Sequence, residues 1–225
     1  MEIRFLGQSC FEITQGSTRI LIDPFLTGNP KAAAEAAELA PTHILLTHGH
    51  ADHLGDTVEI AKRTGAQCVA IVELANELSG DGVENVSDPN LGGTVEFEGG
   101  WVRLVPALHT AVSPKGTAHV AAGLVISLDG TVVYHLGDTC LFSDLQLVRQ
   151  RDPIDVALMC IGGHYTMDRH DAVRAAALVG AKQIIPCHYD TFPPIEADAQ
   201  AFRSEVESST DSRVTVLAPG ESHSV

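Results

Sequence analysis

The stretch Thr47-His48-Gly49-His50-Ala51-Asp52-His53-Leu54-Gly55-Asp56 follows directly on the apolar run His43-Ile44-Leu45-Leu46. Three imidazoles and a carboxylate fall within six residues. With 11 His and 15 Asp in 225 residues, four such identities at fixed places would arise by chance about 0.002 times in a chain of this composition, so the cluster reads as a motif. A strand that runs out into a turn and then a helix points His48 and His50 to one side and Asp52 and His53 to the other. One metal ion can sit against each pair. Catalytic sites use few protein ligands and leave a position for water, yet two per ion are too few, so the rest must come from distant strand ends.

Three residues in short turns after apolar runs meet that need: His109 after VRLVPAL, Asp138 in Gly137-Asp138-Thr139 after TVVYHL, and His188 in Pro186-Cys187-His188. His119 competes with His109 as the third imidazole, but it continues into a long run and reads as an exposed strand residue. Asp138 also has an ordinary reading as a turn residue after glycine.

Outward from these turns, residues 2–6, 10–14 and 18–22 read as an antiparallel meander that stops at Asp23-Pro24. The Ala-rich stretch from Lys31 to Leu39 reads as a helix ended by Pro41, followed by a strand at His43–Leu46, a helix at Asp56–Thr64 and a strand at Gln67–Val72. Residues 92–136 are strand-like, punctuated by Gly-Gly pairs and Asp129-Gly130. Strand VALMCI, helix Asp168–Leu178, strand QIIP, helix Glu196–Glu207 and strand RVTVL complete the chain. Strands in the middle with helices on both sides fit two sheets face to face with helices outside, an α/β fold of four layers, αββα, in one domain spanning 1–225.

Twenty-nine acidic against 14 basic residues give a formal charge of −15, which disfavours a surface that neutralises a phosphate backbone. No nucleic-acid partner is expected. The start MEIRFLGQSC lacks a basic, apolar leader, and no apolar run approaches 18 residues, so no membrane span is expected either. Five scattered cysteines without a C-x-x-C make a poor disulfide framework, and the expected compartment is the cytoplasm.

Taken with Leu21 to Pro30, Ile161-Gly162-Gly163-His164-Tyr165-Thr166-Met167 and His188-Tyr189-Asp190-Thr191-Phe192-Pro193, the pattern resembles the metallo-β-lactamase superfamily. Within it, the chain is similar to a branch of uncharacterised bacterial and archaeal metal-dependent hydrolases related to the ascorbate-6-phosphate lactonases. The resemblance implies His48, His50 and His109 on one metal, Asp52, His53 and His188 on a second, Asp138 bridging, and Asp23 orienting the loop that bears His48 and His50. It implies two divalent ions, zinc first with manganese or iron as alternatives. A hydroxide shared between them would attack a small ester, lactone or phosphoester.

For proton transfer, Asp52 can relay the nucleophile's proton, and His164, after two glycines, can act as an acid or hold the substrate. Lys115 has two readings, an anchor for an anionic substrate group or a solvated loop lysine. Two other functions compete: an RNA or nucleotide phosphodiesterase of the same superfamily, against which the charge speaks, and a metal-binding protein without turnover. His43, His135, His170 and His223 read as structural or exposed.

Overall fold

The computed structural model describes residues 1–225. Strands β1 (Glu2–Gly7), β2 (Cys10–Gln15) and β3 (Thr18–Ile22) form the expected meander. They are followed by β4 (His43–Leu45), α1 (Ala51–Leu54), α2 (Thr57–Thr64), β5 (Gln67–Val69), α3 (Val72–Gly80) and β6 (Val86–Ser87). The middle of the chain is β7 (Thr94–Phe97), β8 (Gly100–Val112), β9 (Ala118–Leu128) and β10 (Thr131–His135). It closes with α4 (Leu145–Arg151), β11 (Val156–Cys160), α5 (Arg169–Val179), β12 (Gln183–Cys187), α6 (Ala199–Ser209), β13 (Arg213–Val214) and β14 (Ser222–Ser224).

These strands form two seven-stranded sheets, ordered β14-β1-β2-β3-β4-β5-β6 and β13-β12-β11-β10-β9-β8-β7. In each, an antiparallel half joins a parallel half, the change falling at β3/β4 and β10/β11. The sheets face one another with helices outside, the four-layer αββα arrangement. The side-chain period of two explains why the second sheet's strands read as unbroken apolar runs. Leu124, Ile126, Val133, Leu158 and Ile185 turn into the core between the sheets. Their neighbours Val125, Tyr134, Ala157, Met159 and Ile184 turn the other way, onto Leu145, Ala172, Ala176 and Phe202 of the outer helices.

Two local expectations fail. Lys31 to Leu39 forms only a 3-10 turn at Ala36–Glu38, because other elements take the backbone groups a helix would use. Ala33 N–H donates to Leu6 O, while the Arg63 guanidinium donates to the carbonyls of Ala36 and Leu39. A nine-residue helix is marginal alone, so these bonds override the alanine propensity. The strand expected over Gln67–Val72 ends at Val69, and Val72 opens α3.

Candidate metal centre

The loop after β4 is set by a buried carboxylate. Asp23, fully buried with φ +44°, accepts hydrogen bonds from Thr47 N at 2.8 Å, Thr47 Oγ1 at 2.6 Å and His53 Nδ1 at 2.8 Å. With its hydroxyl proton given to Asp23, Thr47 Oγ1 accepts from His48 Nδ1 at 3.0 Å. Both Nδ1 atoms are therefore committed as donors, and the Nε2 atoms of His48 and His53 face inward. Asp23 thus orients His53 directly and reaches His48 only through Thr47.

From the facing sheet, Ala122 N–H donates to Thr47 O at 2.9 Å, and His119 Nε2 accepts from Gly49 N at 2.9 Å. His119 Nδ1 donates to Thr117 O at 3.1 Å. The reading of His119 as a free strand residue is corrected: it is half-buried and clamps the backbone between His48 and His50. A side chain at Gly49 would meet that ring at 2.8 Å, which is why the position needs glycine.

The second sheet brings three groups. The pairing of β8 with β9 is irregular between Pro106 and Thr110, and this break re-aims His109 toward the site. Asp138 follows β10 in a turn where Gly137 N donates to His135 Nδ1 and His135 Nε2 donates to Ser9 O at 3.1 Å. His188 follows β12 with φ +54° and donates its backbone N–H to Gln8 O at 2.8 Å.

His48, His50, Asp52, His53, His109, Asp138 and His188 all converge. His48 Nε2 lies 3.0 Å from His50 Nδ1, and His109 Nε2 lies 3.3 Å from the same atom. Asp138 sits in the middle: Oδ2 is 3.9 Å from His48 Nε2, 3.6 Å from His109 Nε2 and 3.2 Å from His188 Nε2, and Oδ1 is 3.4 Å from His53 Nε2. Asp52 Oδ2 stands 3.7 Å from His53 Nε2 and 3.6 Å from His188 Nε2. Three overlapping trios are compact enough to hold an ion: His48/His50/His109, His48/His53/Asp138 and Asp52/His53/His188. The fit to a cation rests on His53 Nε2 and Asp138 Oδ1, buried without a hydrogen-bond partner in a nitrogen and oxygen donor set.

The electrostatics agree. Burial lowers the pKa of His48, His50 and His109, with neighbouring imidazoles adding to the effect, so these rings are neutral and free to ligate. Burial also opposes charge on His53 and His188. The Asp138 and Asp23 carboxylates nevertheless raise His53, and Asp138 and Asp52 push His188 up to about 9. Against burial, the same imidazoles hold Asp52 and Asp138 well below the usual carboxylate range. Protons on His53 and His188 thus do the balancing that a cation would do.

A cavity of about 430 Å³ opens onto this cluster. Its far wall is Phe25, Tyr165, Phe192 and Pro194, with Gln8 beside the carboxylate of Asp52, to which Gln8 Nε2 donates at 2.9 Å. Phe25, Tyr165 and Phe192 lie in stretches that carry the resemblance, yet none of the five reads as a cavity residue in the sequence, since aromatic and amide side chains in loops carry no spacing signature. His164 is exposed with φ +58° and does not line the cavity; its ring meets that of Tyr165 edge-on at 4.4 Å, and Tyr165 takes the place on the wall. Lys115 is exposed and paired with Asp81, also away from the cavity wall.

Comparison with known proteins agrees with this architecture. Residues 2–188 match the profile of a Beta-lactamase superfamily domain. A UPF0173 metal-dependent hydrolase of Methanopyrus kandleri is 46% identical over 99% of both chains. One from Thermus thermophilus is 44% identical over 98% of this chain and 97% of its own. Among solved structures, the metallo hydrolase Igni18 of Ignicoccus hospitalis superposes with a TM-score of 0.90 at 36% identity, covering 99% of this chain and 97% of that one. An isothiocyanate hydrolase from Delia radicum gut bacteria shares the fold, with a TM-score of 0.77 at 17% identity over 100% of this chain and 99% of its own.

Proposed function

This chain belongs to the β-lactamase superfamily and is a metal-dependent hydrolase, and from that premise we propose a two-metal centre that hydrolyses a small ester, lactone or phosphoester. The carrying observation is Asp138, whose two oxygens face imidazoles of two different trios. His48, His50 and His109 would hold one divalent ion, Asp52, His53 and His188 the other, and Asp138 both. Zinc suits these ligands best, with manganese or iron as alternatives. When bound, the ions supply Lewis acidity to the substrate oxygen and lower the pKa of a coordinated water toward 7.

The remaining work falls to the chain. Asp52 is the open carboxylate of the wall, 30% exposed against 3% for Asp138, and is placed to take the nucleophile's proton. Gln8 fixes Asp52 through Oδ2. In ester hydrolysis the water oxygen bonds to the acyl carbon and the acyl–oxygen bond breaks. The proton taken up by Asp52 then passes to the leaving oxygen, giving acid and alcohol. A nucleic-acid substrate is disfavoured because no Lys or Arg lines the cavity.

The test is metal stoichiometry alongside turnover. The purified protein should bind two equivalents of zinc, and Asp138→Asn should drop that to one or fewer with hydrolysis reduced about 100-fold or more. Full turnover with one equivalent would remove the two-metal reading, and turnover undiminished by chelation would remove metal catalysis.

A further inference from the structure

The wall opposite the metal cluster carries information about the substrate that the cluster itself lacks. Phe25 and Phe192 stand with ring centroids 6.4 Å apart and planes tilted by 34°, with Tyr165 and Pro194 completing the wall. Both phenylalanines are held from behind. On one side the Asp56 carboxylate accepts from Leu26 N and Thr27 N, and Asn29 Nδ2 donates to Phe25 O at 3.0 Å. Gly55 passes so close to that loop that a Cβ there would lie 2.2 Å from Pro24 O. On the other side Ile195 N donates to Phe192 O, Asp190 N to Ile195 O, and Asp190 Oδ1 accepts from Ala197 N. Two half-buried rings packed on one another and held by braced loops form a preorganised aromatic face, the kind of surface that takes a flat apolar group with little ordering cost.

Charge points the same way. A phosphate or carboxylate distant from the reacting bond is ordinarily met by Arg or Lys. None lines this cavity, and Lys115 is engaged by Asp81. Beyond the metals, an anionic tail would face a chain of formal charge −15. The volume of about 430 Å³ lies near the lower end of small-ligand sites, about 300–1,000 Å³.

We propose that the substrate is a small, neutral carboxylic ester or lactone bearing a flat apolar group seated against the aromatic face that Phe25 and Phe192 present to the cavity. These residues set specificity without taking part in bond breaking. This rests on the hydrolase reading above and narrows it to uncharged acyl substrates.

The experiment compares methyl phenylacetate, methyl acetate and the phenylacetate ester with a para-carboxylate, by pH-stat on the zinc-loaded protein. In parallel, binding of phenylacetamide, which lacks the labile ester, is followed by ligand-observed NMR on the metal-free protein. Methyl phenylacetate is expected to exceed methyl acetate about 10- to 100-fold in kcat/KM, as burial of an aromatic ring predicts, and to exceed the carboxylated ester. Phe25→Leu and Phe192→Leu, which keep apolar bulk against the loops, should raise KM for the phenyl ester more than kcat changes, affect methyl acetate less than the phenyl ester, and weaken phenylacetamide binding. Equal kcat/KM for the two neutral esters, or preference for the carboxylated one, overturns the proposal. Phenylacetamide bound through both phenylalanines while no ester is hydrolysed supports the aromatic face and instead overturns the acyl-hydrolase reading.

Discussion

Asp23 shows how much of the centre depends on a side chain that touches no substrate. Its carboxylate takes three buried donors, two from Thr47 and one from His53. Asp23→Ala is expected to weaken zinc binding about 10- to 100-fold, measured by competition with a chromogenic chelator; unchanged affinity would mean that His53 finds its orientation elsewhere. His188 predicts a pH dependence. In the metal-free folded protein its pKa is raised to about 9 from the ordinary 6.5. The stabilisation from its carboxylate partners is therefore complete below about 6.5 and lost as pH rises toward 9. Metal must displace that proton, so zinc affinity should climb with pH across the same window, as titrations at pH 6, 7, 8 and 9 would show. The ligand set was legible because its members follow apolar runs in a pattern of identity and spacing, although His109, expected in a turn, stands within β8, and Asp52 and His53 lie in α1. Phe25, Phe192 and Gln8 were not, since they reach the cavity only through loop geometry.

At the scale of elements, the β8/β9 hairpin does two things for the centre: the break in its pairing turns His109 inward, and His119 clamps Gly49. His119→Ala leaves the Gly49 N–H without a partner and should cost about 1–3 kcal/mol, read from denaturant unfolding. Zinc affinity should fall with it because His48 and His50 flank that peptide. A stability loss with zinc affinity intact would restrict the clamp to a packing role. His119 looked like a strand residue because period-two alternation describes a strand's faces and says nothing of which side chain bends back to a loop 70 residues away. The Ala-rich stretch after Pro30 failed for a related reason, its backbone groups being taken by Leu6 and Arg63.

For the whole molecule, the centre joins the two sheets. His48, His50, Asp52 and His53 follow β4 of one, and His109, Asp138 and His188 come from strands of the other. Metal bound there should stabilise the sandwich by about 4 kcal/mol when present at 1,000 times its dissociation constant. Chelation should accordingly lower Tm by roughly 8–16 °C in a chain of this size, as calorimetry would show; an unchanged Tm would mean that the sheets dock without it. The αββα layering and the seven converging His and Asp residues were readable in the linear chain, because hydrophobic period and motif spacing are local properties, whereas helices α3 and α4 and strand β14 were not. The chemistry of the opposite wall, the displacement of His164 by Tyr165 and the engagement of Lys115 by Asp81 arose from folding. They depend on which loops meet across the gap between sheets, and that meeting is governed by packing and backbone hydrogen bonds far apart in sequence.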